Sequence, residues 1–348
     1  MQEQKKEKDI CLRWSMTISN RHKSEKHTDP YINLKKESEK ISAYIKNALL
    51  GEVFTTPKPG LVDLWDNGAH RDMNWITFRK SADAITPYLT AMYEEGYAFR
   101  ERNWSGEKLD TLFLEIRETG RQAERAMYNA TGGVNTHKGM LFSMGIICAA
   151  LGYCRKKHFQ NLKADGQQKE LSMVWEVLDI ARYMTEDILQ KELQDMEAQV
   201  PKTHGERMLA RYGERGIRGE VLDGFPVVRK TAYPELMKLM KEADKTVCQS
   251  QVNLQVLLKI MSELRDTNVL NRGGEEGLLW IQKESGAILK MNGAFSEEGM
   301  KRLIQMNQEC IRKNISSGGA ADQLALTLFL WQAVNEKEIP VYCPVCIE

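Results

Sequence analysis

Apolar residues return at three- and four-residue spacing through most of the chain. Ile41, Ile45, Ala48 and Leu49 form one such stripe, and Phe78, Ala82, Ile85, Leu89 and Met92 form a second. Leu171, Val174, Leu178, Ala181 and Ile188 form a third, and a long run from Leu236 through Met240, Val247, Leu254, Leu258, Met261 and Leu264 a fourth. This spacing puts the apolar side chains on one face of a helix. Pro87 predicts a kink or break in the second stripe, because it lacks the N–H that continues the ladder. The stretches 140–151 and 324–334 are apolar almost throughout, the pattern of helices covered on all sides. Period-two runs of β-branched residues are nearly absent. The pattern predicts an all-α protein, a single multi-helix globular domain over residues 36–338. A polar, mixed-charge extension precedes it (1–35), loosely held, with Trp14, Tyr31 and Ile32 able to anchor part of it to the body, and a short tail follows (339–348). Residues 156–168 read as a loop. No repeat of fixed length is present, which excludes a solenoid.

Composition narrows the class. Among 348 residues, 49 Lys and Arg face 48 Asp and Glu, a net charge of +1. A nucleic-acid partner is excluded, since that needs a concentrated basic surface. No apolar run reaches the roughly 18–20 residues that cross a bilayer, and no signal sequence opens the chain. Seven irregularly spaced Cys predict a cytoplasmic protein with reduced thiols. The pair Cys343 and Cys346 has metal-knuckle spacing but no second pair.

Chemistry gathers in five polar, Gly-rich segments between the apolar stripes. In 55–73 (TTPKPGLVD, then NGAHRDM), Pro and Gly forbid helix, and Lys58, Asp63, Asn67, His70 and Asp72 can face one centre. In 132–139, GGVNTHKG leads into an apolar helix whose N-terminus, with Asn135, Thr136, His137 and Lys138, suits phosphate oxygens. The third segment carries His204, Glu206, Arg215 and Arg218 among repeated Gly, a flexible cationic stretch. The fourth holds Asp266, Asn268 and Arg272. The fifth, with Gly318, Gly319 and Asp322, opens the last apolar helix. Taken singly, each reads equally as a solvated loop or a helix cap. Together they predict one site assembled from joints between helices.

Several familiar sites are excluded. There is no G-x-x-x-x-G-K-[ST], so a nucleotide would not be held by a P-loop. Gly213, Gly216 and Gly219 do not spell G-x-G-x-x-G, and neither H-E-x-x-H nor an adjacent His-Asp pair occurs.

With TTPKPGLVD, NGAHRDM, GGVNTHKG, HGE (204–206), YG-x-x-G-x-R-G-E (212–220), GFP (224–226), DTN (266–268), RGG (272–274) and SGGAADQLALTLFL (317–330) in that order, the sequence resembles the triphosphoribosyl-dephospho-CoA synthase family. It does so over roughly residues 40–335. The family makes the prosthetic-group precursor of citrate lyase and, in a sister branch, of malonate decarboxylase. Two departures are local: Ser-Ser-Gly-Gly replaces the expected Ser-Pro-Gly-Gly, and Leu-Trp-Asp follows Val-Asp where Arg is common.

The resemblance implies a pentosyltransferase that moves the 5-triphosphoribosyl group of ATP onto the ribose 2′-hydroxyl of 3′-dephospho-CoA and releases adenine. It implies that the product passes to an acyl-carrier-protein phosphoribosyl transferase; the charge balance and hydropathy above point to no nucleic-acid or membrane partner. Such glycosyl transfer runs through an oxocarbenium-like transition state. It needs a base on the attacking hydroxyl, a proton for adenine and negative charge beside the cation. Asp63, Asp72, Glu206, Asp266 and Asp322 are the carboxylates assigned to these tasks, undivided, and His70 and His137 the groups for proton transfer. Mg²⁺ is expected with the triphosphate, on Asp63, Asp72 and Asp266. Lys58, Lys138, Arg215, Arg218 and Arg272 are assigned to phosphates, beside Asn67, Asn135, Thr136, His204, Asn268, Gly318 and Gly319. Two rivals remain: a nucleotide or ADP-ribosyl glycohydrolase, and a helical scaffold that binds nucleotide without turnover.

Overall fold

The structure, a computed structural model, describes residues 30–102, 108–155, 167–242 and 247–341. Most of the N-terminal extension, the greater part of the 156–168 loop and the Cys343–Cys346 pair fall outside these. Contacts divide the chain into Met1–Glu37 and Ser38–Glu348; the second unit contains every element discussed below except the first eight residues of α1.

Thirteen α-helices, and no strand, are found among the described residues. In chain order they are α1 (Pro30–Phe54), α2 (Trp75–Arg102), α3 (Asp110–Thr131), α4 (Lys138–Arg155), α5 (Gln167–Tyr183), α6 (Glu186–Glu197), α7 (His204–Tyr212) and α8 (Gly216–Leu222). After a π-helical turn at Val228–Ala232 come α9 (Tyr233–Glu242), α10 (Gln249–Glu263), α11 (Thr267–Lys290), α12 (Glu297–Lys313) and α13 (Gly318–Asn335). The all-α expectation is met.

The two apolar stretches are α4 and α13, and nearly every side chain of each is buried. α2 lies along α4 so closely that the missing side chains of Gly96 and Gly152 are required: a Cβ on either would sit 2.0 Å from a carbonyl oxygen of the other helix. α13 runs between α4, α10 and α1. Gln332 donates to Tyr44 of α1, and Gly51 of α1 faces Leu328.

Five details differ from the sequence pattern. Pro87 neither breaks nor ends α2, which continues from Trp75 to Arg102. Pro87 lies on the exposed face, where water reaches the carbonyl it leaves without a donor. The third stripe is divided at Thr185, whose hydroxyl turns back to Ala181 O at 2.9 Å, and the fourth comprises α9 and α10 on either side of 243–246. The third polar segment folds largely as α7 and α8. The Arg272-Gly-Gly joint lies inside α11, where Gly274 (φ 62°) interrupts the helical path.

Candidate functional site

The segment 55–74 is extended and turned, with a cis Thr56–Pro57 peptide. Its shape is held from within by Asp63, 1 % exposed, whose Oδ2 accepts from Lys58 N at 2.8 Å and Oδ1 from Trp65 N at 2.7 Å and Asp66 N at 3.1 Å. Burial pushes the Asp63 carboxyl up, and these backbone donors pull it back. Lys58 is as buried as Asp63, and its ammonium is spent on Glu52, at the end of α1. From outside, Ser250 and Asn253 of α10 bind Thr56 and Thr55, and Asn307 of α12 bridges Gly60 N and Asp66. The segment is therefore clamped by α1, α10 and α12.

His70 leaves this segment towards the fifth joint. Its Nε2 lies 2.8 Å from Ser316 Oγ, and Arg272 Nη2 lies 3.4 Å from its Nδ1. A guanidinium only donates, so Nδ1 is the acceptor and Nε2–H donates to Ser316. Arg272 also grips Ala69 O and Asn314 Oδ1, joining the first, fourth and fifth segments. Burial and the Arg272 charge hold the imidazole at about 4.

His137 sits at the entry to α4 under the ring of Phe78. Thr136 Oγ1 donates to Ser81 Oγ at 2.7 Å, and Ser81 lies 2.7 Å from His137 Nδ1. The relay leaves Nδ1 an acceptor and the proton on Nε2, for which no described residue is a partner. Burial, with Lys58 nearby, depresses this histidine to about 3. Both histidines are neutral at physiological pH, hydrogen-bond groups rather than stores of protons.

Two carboxylates meet at the mouth of α13 and differ in their surroundings. Asp266 caps α11 through Asn268 N (2.8 Å) and reaches across to Ala320 N (2.9 Å) in α13. A Cβ on Gly319 would lie 3.0 Å from this carboxylate, so glycine is what admits it. Asp322, one turn into α13, accepts no hydrogen bond among the described residues. Its Oδ2 rests against Gly139 at the start of α4, where a Cβ would come within 2.5 Å. Burial first, then Glu52 and Asp266, push the Asp322 carboxyl well above the usual carboxylate range.

The third segment joins from its α7 and α8 ends. His204 bonds Asn271, Gly216 lies against Thr267, and Gln323 of α13 donates to Glu220 Oε2 at 3.4 Å. Contacts thus link all five polar segments. Among the described residues, three side-chain atoms in the linked segments are buried without a partner: Ser317 Oγ, Gln323 Oε1 and His204 Nε2.

Other expected residues have local partners. Glu206 completes the capping box of α7 with Thr203. Arg215 pairs with Asp223 at 2.5 Å, Arg218 with Glu192 at 3.2 Å over the Phe142 ring, and Lys138 with Glu124 at 2.6 Å. Asn135 caps Lys138 N, Asn67 and Asp72 are exposed, and Gly318 faces the Asn268 amide. Of the three Asp expected on Mg²⁺, Asp63 and Asp266 spend their oxygens on peptide N–H groups, and Asp72 keeps its own clear. Among the described residues no three His, Cys, Asp or Glu gather to hold a metal. Sequence reading missed Glu52, Ser81, Ser316, Glu220 and Gln323. Glu52 showed as a lone acid in the apolar end of α1, and Glu220 and Gln323 lay inside quoted motifs without being singled out.

Comparison with known proteins bears on what this arrangement serves. A probable 2-(5″-triphosphoribosyl)-3′-dephosphocoenzyme-A synthase of Photobacterium profundum is 38% identical over 315 residues, 90% of this chain and 93% of that one. A synthase of the same description (numbered 1) from Salmonella choleraesuis is 34% identical over 88% of this chain and 94% of its own. Protein CitXG of Leuconostoc mesenteroides subsp. cremoris is 36% identical over 86% of this chain, and the match spans 60% of that longer protein. No solved structure matches. The profile of CitG, ATP:dephospho-CoA triphosphoribosyl transferase, matches residues 38–340, which include all five converging segments, and the chain belongs to that family.

Proposed function

We propose that the meeting point of the five segments is where this transferase breaks the C1′–N9 bond of ATP and hands the triphosphoribosyl group to the 2′-hydroxyl of 3′-dephospho-CoA. The observation that carries the reading is Asp322: a carboxyl with no hydrogen-bond partner among the described residues, held between the start of α4 and the cap of α11 and raised by burial and then by its acidic neighbours. A carboxylate made more basic in this way suits removal of the 2′-hydroxyl proton. So raised, Asp322 holds a proton at rest; the cationic oxocarbenium centre favours its ionised form, which takes the 2′-hydroxyl proton and sets negative charge beside that centre. Asp266 and Asp63 shape the joints around it, since their oxygens are already bound to backbone. His137 Nε2–H, neutral and without a protein partner, is a hydrogen-bond donor for a substrate oxygen. The N-termini of α4 and α13, with Ser317, offer further donors to phosphate.

Mg²⁺ needs only one or two protein carboxylates when phosphates supply the rest. Asp72 fits that part, and the ion would neutralise triphosphate charge. The fuller assignment that we infer is a role in the cytoplasm in making the citrate lyase prosthetic-group precursor, whose product goes on to an acyl-carrier-protein phosphoribosyl transferase. Mass spectrometry of the product from ATP and dephospho-CoA tests the reading. A product bearing triphosphoribose at the 2′-position, made by wild type and lost in Asp322→Asn, is expected. Adenine released from ATP alone at the full rate would instead mark a glycohydrolase, a reading the family does not support.

A further inference from the structure

Proton delivery to departing adenine is the task the proposed site leaves open. Both histidines are neutral with their Nδ1 atoms occupied as acceptors, and Asp322 is engaged as base. The bond between Gln323 and Glu220 supplies a candidate on the next position of α13. Gln323 is 3 % exposed, its amide nitrogen donates to Glu220 Oε2 at 3.4 Å, and its Oε1 has no partner although it is buried. α8, which carries Glu220, rests on α4 through Arg218 over Phe142 and on α11 through Gly216 against Thr267. A buried amide oxygen without a donor is costly unless a ligand supplies one.

Resting on the functional reading above, we propose that Gln323 and Glu220 read the N6/N7 edge of adenine and that Glu220 is the acid that releases it. Adenine shows an amine donor at N6 and an acceptor at N7, the edge that side-chain amides recognise in nucleic acids. Here Gln323 Oε1 accepts from the amine and the protonated Glu220 carboxyl donates to N7. As the C1′–N9 bond breaks, its electron pair stays with the purine and the Glu220 proton passes to N7, so adenine leaves neutral. The 2′-oxygen bonds C1′, its proton goes to Asp322, and solvent restores both carboxyls. Burial, with Asp223 adding to it and Val227 N–H and Arg215 opposing, raises Glu220 to about 7, so that it holds its proton near neutral pH.

The test compares ATP with two altered donors, 7-deaza-ATP and 4-nitrophenyl ribofuranoside 5′-triphosphate, whose aglycone leaves without protonation. With Glu220→Gln, turnover of ATP is expected to fall by about 100-fold or more, while the nitrophenyl donor stays within about threefold of wild type. Asp322→Asn is expected to lose both. Wild type is expected to bind 7-deaza-ATP and turn it over at least about 100-fold more slowly than ATP. If Glu220→Gln lowers both donors alike, or neither, Glu220 is not the acid. Should that variant fail to fold, wild type decides: 7-deaza-ATP used within about threefold of ATP overturns the proposal. Wild type releasing no adenine from ATP with dephospho-CoA would overturn the functional reading itself, a separate result.

Discussion

The carboxylate of Asp322 rests against Gly139, so closely that a methyl group on that glycine would lie 2.5 Å from Oδ2. The contact joins the first turn of α4 to the second turn of α13 and fixes where the Asp322 carboxyl points. Gly139→Ala must displace the carboxylate, while alanine itself is favoured in a helix by up to about 1 kcal/mol. The variant is expected to melt no lower than wild type yet to lose about 10- to 100-fold in kcat, because a catalytic group displaced by an ångström costs about that much. Thermal melting and adenine release measured on one preparation check it.

Asp266 and Asp322 separate a structural carboxylate from a chemical one. Asp266→Ala strips acceptors from Asn268 N and Ala320 N, a lost cap together with a buried donor, and is expected to cost about 2–4 kcal/mol in urea unfolding. Asp322→Asn breaks no hydrogen bond among the described residues and replaces an acid whose ionisation burial, Glu52 and Asp266 oppose. It is expected to leave stability unchanged or slightly higher while activity falls at least about 100-fold.

The Glu52–Lys58 pair, with side chains 7% and 1% exposed, is an ion pair out of water. Removing one partner leaves the other charge buried and alone. Lys58→Met and Glu52→Gln are each expected to destabilise by about 3–5 kcal/mol, and the double variant by clearly less than the sum. A double-mutant cycle by urea unfolding measures this. Additive losses would mean that the two charges do not depend on each other.

The helices were legible because burial imposes a period of 3.6 residues, and α4 and α13 announced themselves by being apolar all round. The convergence of the polar joints was legible as well, since a mixed-sign, Gly-rich segment is out of place between apolar helices unless it serves a common purpose. Which member of each joint faces the centre was not. Asp63 and Asp266 look like Asp322 in the sequence, and only the positions of the Trp65, Asp66, Asn268 and Ala320 N–H groups show that the first two are occupied. Lys58 reads as a phosphate ligand until Glu52 is brought to it. Glu206, read as an acid, stands three residues after Thr203 in the spacing of a capping box, a local signal that competed with the chemical one. Gln323 stands inside the motif 317–330, but as one polar residue on an apolar helix nothing in the sequence marks it as facing the site.

Protonation offers a last check on His137. Its ordinary value is near 6.5, and burial beside Lys58 lowers it to about 3 in the folded protein. Between those values the unfolded chain holds a proton that the folded protein refuses. The stability associated with a neutral His137 is therefore complete above about pH 6.5 and declines as pH falls, by roughly 1.4 kcal/mol per unit. Glu220, raised to about 7, works in the opposite sense, its contribution fading as pH rises. His70, held at about 4, follows His137. Both are common to wild type and His137→Gln, so the stability difference between these two proteins isolates His137. Between pH 7.5 and pH 5 that difference is expected to shift against wild type by about 2 kcal/mol in urea unfolding. A difference that does not move would mean that the imidazole is charged in the folded protein. Ser81 would then accept from Nδ1 rather than donate to it, and the relay from Thr136 would run no further than Ser81.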